Sequence, residues 1–288
     1  SYSETGYDNV GNFRYLSGYQ AGNLYTIGSS PSAGLISTGL ANLNLTWEEM
    51  TIYNAGVDFS LLKGKLFGEF DMFSRDRTGI PGKRSVSLPD TFGAILPTEN
   101  LNAQNTRGWE LSLGYNGSIE DFSYKVAANV SYSRSKWDFF DEPEYADEDQ
   151  ARQNARTGQW TDRVFGYVSQ GLFTTQAEID ALDFVYNQVN GNSGLAPGDI
   201  RYQDVNGDGL LDWKDRVELG AGNIPHWIGG LNFDLDYKGF DMSALFQGGF
   251  GFTQELVLSR GNNFSELQYI NRWTPANNNA NGLVPRLG

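Results

Sequence analysis

The chain has 288 residues, a mean hydropathy of −0.45 and a high aromatic content, with 18 Phe, 15 Tyr and 7 Trp. Its formal net charge of −14 and the lack of a basic patch exclude nucleic acid as a partner, and the absence of Cys excludes disulfides, thiolate zinc sites and cysteine nucleophiles. No apolar run reaches the roughly 18 residues of a membrane-spanning helix, although the strands of a membrane barrel would leave a much weaker signal.

Six segments alternate apolar and polar residues at every second position, the pattern of a strand with one apolar face. In chain order, their apolar residues are Tyr53, Ala55, Val57, Phe59 and Leu61; Leu66, Phe70 and Met72; Trp109, Leu111, Leu113 and Tyr115; Phe122, Tyr124, Val126, Ala128, Val130 and Tyr132; Trp227, Leu231, Phe233, Leu235 and Tyr237; and Phe240, Met242, Ala244, Phe246 and Phe250. The opposite sides are polar and acidic, with Asp58, Glu69, Asp71, Glu110, Asp234, Asp236 and Asp241. The sequence therefore predicts an all-β, antiparallel fold.

Short and long connections alternate between these strands. Tight hairpins are predicted at Lys63-Gly64 and Lys238-Gly239, and a third short connection at 116–121. About 30 residues lie between Asp76 and Thr106, and almost 90 between Asp138 and Pro225. Short turns at one rim and long loops at the other are typical of a large transmembrane β-barrel with long extracellular loops.

The aromatic residues of the apolar faces fall into two groups. Those near the long loops are Tyr53, Trp109, Tyr132, Trp227 and Phe250, and those near the short turns are Tyr115, Phe122, Tyr124, Tyr237 and Phe240. Two aromatic rows separated by aliphatic residues are favoured by the two interfaces of a membrane. Aromatic residues also suit strands in general, so the pattern alone leaves a soluble β-sandwich open.

The remaining segments are less regular. Within residues 7–47 we expect strands at Asn12 to Tyr19 and Leu40 to Trp47 around a Gly/Ser-rich loop at 28–34. Residues 138–225 are predicted to form a long outer loop with a helix at 177–188, capped by Thr174 or Thr175. Residues 251–288 begin another long, Asn-rich connection.

The segment 204–215 matches the spacing of an EF-hand calcium loop. Oxygen-bearing side chains stand at positions 1, 3, 5, 9 and 12, Gly209 stands at position 6, and position 7 offers a backbone carbonyl. The predicted ligands are Asp204, Asn206, Asp208, Leu210, Asp212 and Asp215. Position 12 is Asp where an EF-hand has Glu, and no ordinary helix can precede the loop, so the bound Ca²⁺ would be structural. A metal-free Asp/Gly-rich turn is the alternative.

No catalytic constellation is visible. The seven acids of the segment 138–149 indicate a solvated loop, with a second cation site or a docking surface as alternatives. His226 is the only histidine and stands where a strand begins, which favours an interface residue over a general base. Glu48 and Glu49 are adjacent in a predicted strand, so they point to opposite faces and cannot act as a glycosidase pair. We therefore predict that the chain is not an enzyme.

Five signatures in order resemble the barrel of SusC/RagA-type TonB-dependent transporters. They are 45–58 with the following hairpin and 70–77; 105–112; 198–202 leading into the calcium-type loop; 237–248; and Arg272-Trp-Thr-Pro275 followed by Pro285-Arg286. The resemblance implies a 22-stranded outer-membrane barrel filled by a plug domain. It further implies a SusD-like lipoprotein lid, import driven by the TonB complex acting on the plug, and oligosaccharide or peptide cargo. No plug, TonB-interacting segment or signal sequence is recognisable, so residues 1–288 are expected to be an internal fragment.

The leading hypothesis is therefore nutrient import, including glycan uptake, across the bacterial outer membrane, with this chain in contact with membrane lipids, lid and cargo. Its acidic lumen would suit neutral cargo and disfavour polyanions. Tyr145 and Trp160 are candidate substrate contacts in the outer loop. The alternative is a secreted all-β carbohydrate-binding or adhesion module stapled by calcium.

Overall fold

The computed structural model describes residues 1–8, 15–86, 89–255, 259–260 and 263–287. The chain divides into two compact units. The sheet unit comprises residues 1–145, 155–161 and 225–251, and the loop unit comprises residues 146–154, 162–224 and 252–288. None of the described helices has the length and apolar character needed to span a membrane.

The described residues form fifteen strands and three short α-helices. The strands are β1 Tyr2–Tyr7, β2 Tyr19–Ile27, β3 Ser30–Ser37, β4 Glu48–Leu61, β5 Leu66–Gly82, β6 Glu99–Ile119, β7 Phe122–Phe139, β8 Val164–Gly166, β9 Ser169–Leu172, β10 Ile200–Tyr202, β11 Val217–Gly220, β12 Trp227–Tyr237, β13 Phe240–Phe250, β14 Ser259–Arg260 and β15 Asn263–Phe264. The helices are α1 Glu148–Asn154, α2 Gln176–Asp180 and α3 Glu266–Asn271.

The sheet unit is dominated by one seven-stranded antiparallel sheet in the order β1-β4-β5-β6-β7-β12-β13. All six predicted strands are confirmed, as β4, β5, β6, β7, β12 and β13. The predicted connection of about 30 residues between β5 and β6 is wrong, because the two strands stay paired as far as Gly82 and Glu99. Beyond the apolar band both faces are polar, so the ladder continues where the period-2 pattern has already ended.

The short turns lie at one end of the sheet, and we call this the turn end and the opposite one the loop end. The β4–β5 turn has Lys63 at φ 59° and Gly64 at φ 86°, and the β12–β13 turn has Lys238 at φ 50° and Gly239 at φ 85°. Residues 120 and 121 alone join β6 to β7, which is tighter than predicted. Consecutive positive φ angles match the right-handed twist of a hairpin, and this confirms the predicted turns.

The N-terminal prediction is largely wrong. Instead of strands at Asn12 to Tyr19 and Leu40 to Trp47, the hairpin β2–β3 turns at Gly28-Ser29, and most of the predicted loop 28–34 lies inside β3. Residues 12–14 lie outside the described part of the chain. The Gly and Ser residues of this segment favour a loop in the sequence, but backbone pairing does not depend on side-chain size, so the same residues form a strand.

The loop unit contains the only hydrophobic residues that are buried in the described chain. These are Leu172, Phe173 and Ile179, with Phe173 at 0% exposure. The predicted helix 177–188 is wrong beyond Asp180, although Thr175 does cap α2 by accepting a hydrogen bond from Glu178 N. The backbone of Val185 instead pairs with the calcium-type loop, donating to Gly209 O at 3.0 Å, and this pairing is incompatible with a continuous helix.

Candidate functional site

Aromatic side chains form a continuous row across four strands near the loop end of the sheet. Trp109, Tyr132, Trp227 and Phe250 stand directly opposite one another on β6, β7, β12 and β13. Their ring centroids are 4.7 Å apart for Tyr132–Trp227 and 5.6 Å apart for Trp227–Phe250. We call this set the outer aromatic row. Tyr53, predicted to belong to it, lies further out on β4 and packs on Tyr2 at 5.3 Å.

A second row lies near the turn end. It consists of Tyr115, Phe122, Tyr124, Tyr237 and Phe240, with Phe122 opposite Tyr237 and Tyr237 opposite Phe240. On β12 the two rows are ten positions apart, at Trp227 and Tyr237, or about 33 Å of strand. At the usual barrel tilt of roughly 40° this spans about 25 Å across a bilayer, the height of the apolar band of such barrels.

The face between the rows, which we call the apolar face, is uncovered in the described chain. Val57 is 62% exposed, Met242 61% and Phe246 63%. A soluble domain of this length would bury most such side chains in a core, whereas none of the described hydrophobic residues of the sheet unit is buried. The apolar face therefore has the properties of a surface that contacts lipid.

The predicted acids share the opposite, polar face. Asp58 stands opposite Glu69, Asp71 opposite Glu110, and Asp236 opposite Asp241. Asp234 lies on the same face of β12 and accepts a hydrogen bond from Ser243 Oγ at 2.7 Å. Carboxylates opposed across a strand pair destabilise a sheet, so a water-filled environment that screens them fits this arrangement.

One charged cluster at the loop end was not recognised from the sequence. Glu48 is only 3% exposed, and its carboxylate accepts hydrogen bonds from the Arg77 guanidinium, including Nη2 to Oε1 at 2.7 Å and Nη2 to Oε2 at 3.0 Å. Arg77 Nη1 donates in turn to Gln104 Oε1 at 3.0 Å. The cluster joins β4, β5 and β6. The sequence does contain a signal for this ion pair: an acid begins one strand, and an arginine stands near the end of the strand that pairs with it.

The calcium-type loop is closed by hydrogen bonds to its first and last carboxylates. Asp204 accepts from Gly207 N at 2.7 Å and from Gly209 N at 3.0 Å. Asp215 is fully buried and accepts from Val205 N at 2.9 Å and from Asp212 N at 2.8 Å. The chain therefore curls around its own carboxylates.

The inner positions of the same loop are also fixed locally. Asn206 Oδ1 accepts from Asp208 N at 2.9 Å, and Asp208 Oδ1 accepts from Leu210 N at 3.0 Å. Asp212 caps a short 3-10 turn at Trp213–Asp215. Across the described residues, however, no three His, Cys, Asp or Glu side chains are gathered into a group that could hold a metal ion. All six predicted ligands thus lie on one curled loop, and calcium binding stays a prediction.

The two candidate substrate contacts lie in different surroundings. Tyr145 donates a hydrogen bond to Glu142 Oε2 at 2.6 Å, and burial together with this bond raises the pKa of Tyr145 to about 12. Trp160 pairs with Lys136 across a β-bridge, which places it on the side of β7 that carries the outer aromatic row. A role of either residue in binding cargo stays a prediction.

His226 lies directly before β12, as expected for a strand end. Its backbone oxygen accepts from Ser133 N at 3.0 Å, and its ring meets Tyr132 edge-on at 6.4 Å. These contacts continue the pairing of β12 with β7 by one residue.

A sheet with two aromatic rows, an uncovered apolar face and an acidic polar face defines the wall of a transmembrane β-barrel, of which the described residues form an open segment.

Comparison with known proteins agrees with this assignment. The chain is 28% identical to TonB-dependent receptor P26 of Formosa agariphila over 94% of its length, and 27% identical to TonB-dependent receptor SusC of Bacteroides thetaiotaomicron over 83%. It superposes over its full length on the RagAB peptide importer in the open-open state, with a TM-score of 0.64 at 20% identity. No family model matches.

The resemblance to SusC/RagA-type TonB-dependent receptors is thereby confirmed, as are the barrel-segment fold and the bacterial outer-membrane location. The chain spans 28% of the length of receptor P26 and 23% of SusC. The similar proteins are receptors and importers, as their names state, and not enzymes.

Proposed function

We propose that this chain forms part of the wall and the outer loops of a TonB-dependent channel that imports oligosaccharides or peptides, without catalysing a reaction. The main observation in support of this proposal is the exposed apolar face between the two aromatic rows. A secreted carbohydrate-binding module would need to cover that face, because large exposed apolar patches cause association in water.

A SusD-like surface lipoprotein is the proposed lid over the loop end, and the TonB complex the proposed energy source. The similarity to SusC and to a peptide importer supports both partners and the cargo class. The opposed acids of the polar face, such as Asp58 with Glu69, favour neutral or cationic cargo, since a negative potential repels polyanions.

Two neighbouring alanines of β7 test the assignment of the faces. Ala128 stands opposite Leu113 and Leu231 on the apolar face, and Ala127 stands opposite Gly114 and Asn232 on the polar face. An arginine facing lipid at mid-depth costs about 2–4 kcal/mol, whereas a lumen position tolerates it. Ala128→Arg should therefore reduce the heat-modifiable folded protein in outer membranes, and Ala127→Arg should not.

Cargo uptake by cells that carry the Ala127→Arg variant gives the functional readout. Equal assembly of both variants, or recovery of a monodisperse protein in detergent-free buffer, would contradict the membrane assignment and support the secreted module.

We further propose that the loop 204–215 binds one structural Ca²⁺ through the side chains of Asp204, Asn206, Asp208, Asp212 and Asp215 and the carbonyl of Leu210. The donor spacing and the backbone curled around Asp204 and Asp215 support it, and hard oxygen donors are those that Ca²⁺ prefers. Bound calcium would brace a long loop.

Limited proteolysis tests this. Chelation with EGTA should speed cleavage within residues 198–218, Ca²⁺ should restore protection, and Asp208→Ala should abolish the calcium effect. Asp183→Ala, an exposed acid outside the loop, is the matched control. Cleavage that chelation leaves unchanged would refute the metal.

A further inference from the structure

Three basic residues form a cluster on the apolar side of the sheet, just beyond the outer aromatic row. Arg107 stands directly opposite Arg134, two positions past Trp109 and Tyr132, and Lys136 follows two positions further on β7. We call these three residues the basic trio. In a chain with a net charge of −14, three cations on one outward-facing patch are unusual.

The position of the trio fits the headgroup layer of a bilayer. At the same tilt of roughly 40°, two strand residues correspond to about 5 Å of depth, which lies within the roughly 5–8 Å between the hydrocarbon core and the outer limit of the headgroups. The arginines would therefore stand at headgroup depth if the outer aromatic row marks the membrane interface. The backbone of Lys136 would lie about 10 Å beyond the outer aromatic row, and its long side chain could reach back to the outer edge of that layer.

Trp160 completes the patch. It pairs with Lys136 across a β-bridge, and its ring lies 4.4 Å from the Arg134 guanidinium carbon and 5.8 Å from Lys136 Nζ. The ring holds both cations on the same side of the sheet through cation–π attraction.

Acidic residues also lie near the trio. Asp76, the nearest acid on β5, accepts a hydrogen bond from Asn105. In the described part of the chain no ion pair involves Arg107 or Lys136. Like charges directly opposite each other on paired strands repel, and an anion bound beside Arg107 would reduce the repulsion between Arg107 and Arg134.

We propose that Arg107, Arg134, Lys136 and Trp160 bind the phosphate-bearing headgroup of an anionic lipid in the membrane leaflet at the loop end. Arginine forks bind phosphate oxygens in a bidentate manner, and basic clusters beside a membrane surface bind anionic lipids. Continuity with the outer aromatic row selects a lipid over a protein partner. The inference rests on the proposed membrane function, because it requires this face to contact lipid.

Native mass spectrometry of the detergent-solubilised protein tests the proposal, with phosphorylated lipid A as the probe and the same lipid without phosphates as reference. The variant Arg107→Gln/Arg134→Gln/Lys136→Gln should lose affinity for phosphorylated lipid A about five-fold for each charge removed. Binding of the dephosphorylated lipid should not change, and inorganic phosphate should not compete.

Lys63→Gln/Lys65→Gln/Lys238→Gln, which removes three charges at the turn end, is the matched control and should keep wild-type affinity. Arg107→Lys/Arg134→Lys keeps the charges and should retain most of the binding, which separates recognition from a folding defect. Equal binding by the trio variant and wild type, an equal loss in the turn-end control, or displacement by inorganic phosphate would each overturn the proposal. Cargo uptake is measured in parallel, since a failure of the import function would leave lipid binding intact.

Discussion

The Glu48–Arg77 pair should respond unequally to the loss of either partner. The Glu48 side chain is 3% exposed, whereas the Arg77 side chain is 32% exposed. Arg77→Met leaves a buried carboxylate without its cation, and this kind of loss costs about 3–5 kcal/mol. Glu48→Gln leaves a guanidinium that water can reach and that still contacts Gln104, so we expect a cost of about 1–2 kcal/mol.

Hydrogen exchange of the amides at the loop end of β4 and β5 measures the difference locally. A loss of 3 kcal/mol should speed exchange more than about 100-fold, and a loss of 1–2 kcal/mol about 5- to 30-fold. The double variant should cost less than Arg77→Met alone, because it removes the orphaned charge. Equal effects of the two single variants, or additive effects in the double variant, would refute the argument from burial.

Three further predictions concern single positions. Gly108→Ala should destabilise the sheet by about 1–3 kcal/mol, because the added Cβ would lie 2.5 Å from a backbone oxygen of β7. In the control Gly248→Ala, the added Cβ has no atom within 4 Å. Equal thermal unfolding midpoints for the two variants would contradict this prediction. Lys238→Asn should raise the unfolding midpoint, since Asn tolerates positive φ better than Lys, and a lower midpoint would count against it. Burial raises the pKa of Glu142, but hydrogen bonds from Tyr145, Thr157 and Arg156 outweigh it and leave that pKa below its usual value. A lowered folded pKa stabilises at neutral pH and is lost on acidification, so hydrogen exchange at 140–157 should increase below about pH 4.5; a pH-independent profile would exclude this role.

The strands that the sequence predicted are those with one apolar face. Between Trp109 and Tyr115, every second side chain is apolar because one face of the strand contacts lipid and the other contacts water. Where that asymmetry ends, as in the outer half of β6, the pattern ends too, although backbone pairing continues to Glu99. The hairpin β2–β3 was missed because its Gly and Ser residues indicate a loop, whereas backbone pairing does not depend on side-chain size.

The calcium-type loop was found because its donors follow fixed spacing along the chain. The Glu48–Arg77 pair and the basic trio combine residues from separate strands, and only strand register brings them together. Alternation within β6 places Arg107 on the side of Trp109, but only the register between β6 and β7 brings Arg134 opposite Arg107.

The sequence by itself determined the number of long strands, their two faces, the tight turns and the spacing of the loop carboxylates, because each depends on neighbours in the chain. The tertiary structure alone decided which aromatic residues align into rows, which charges meet, and that Val185 pairs with the calcium-type loop instead of continuing a helix. These features depend on hydrogen-bond register between distant segments, and register is fixed by the packing of the whole sheet or loop unit.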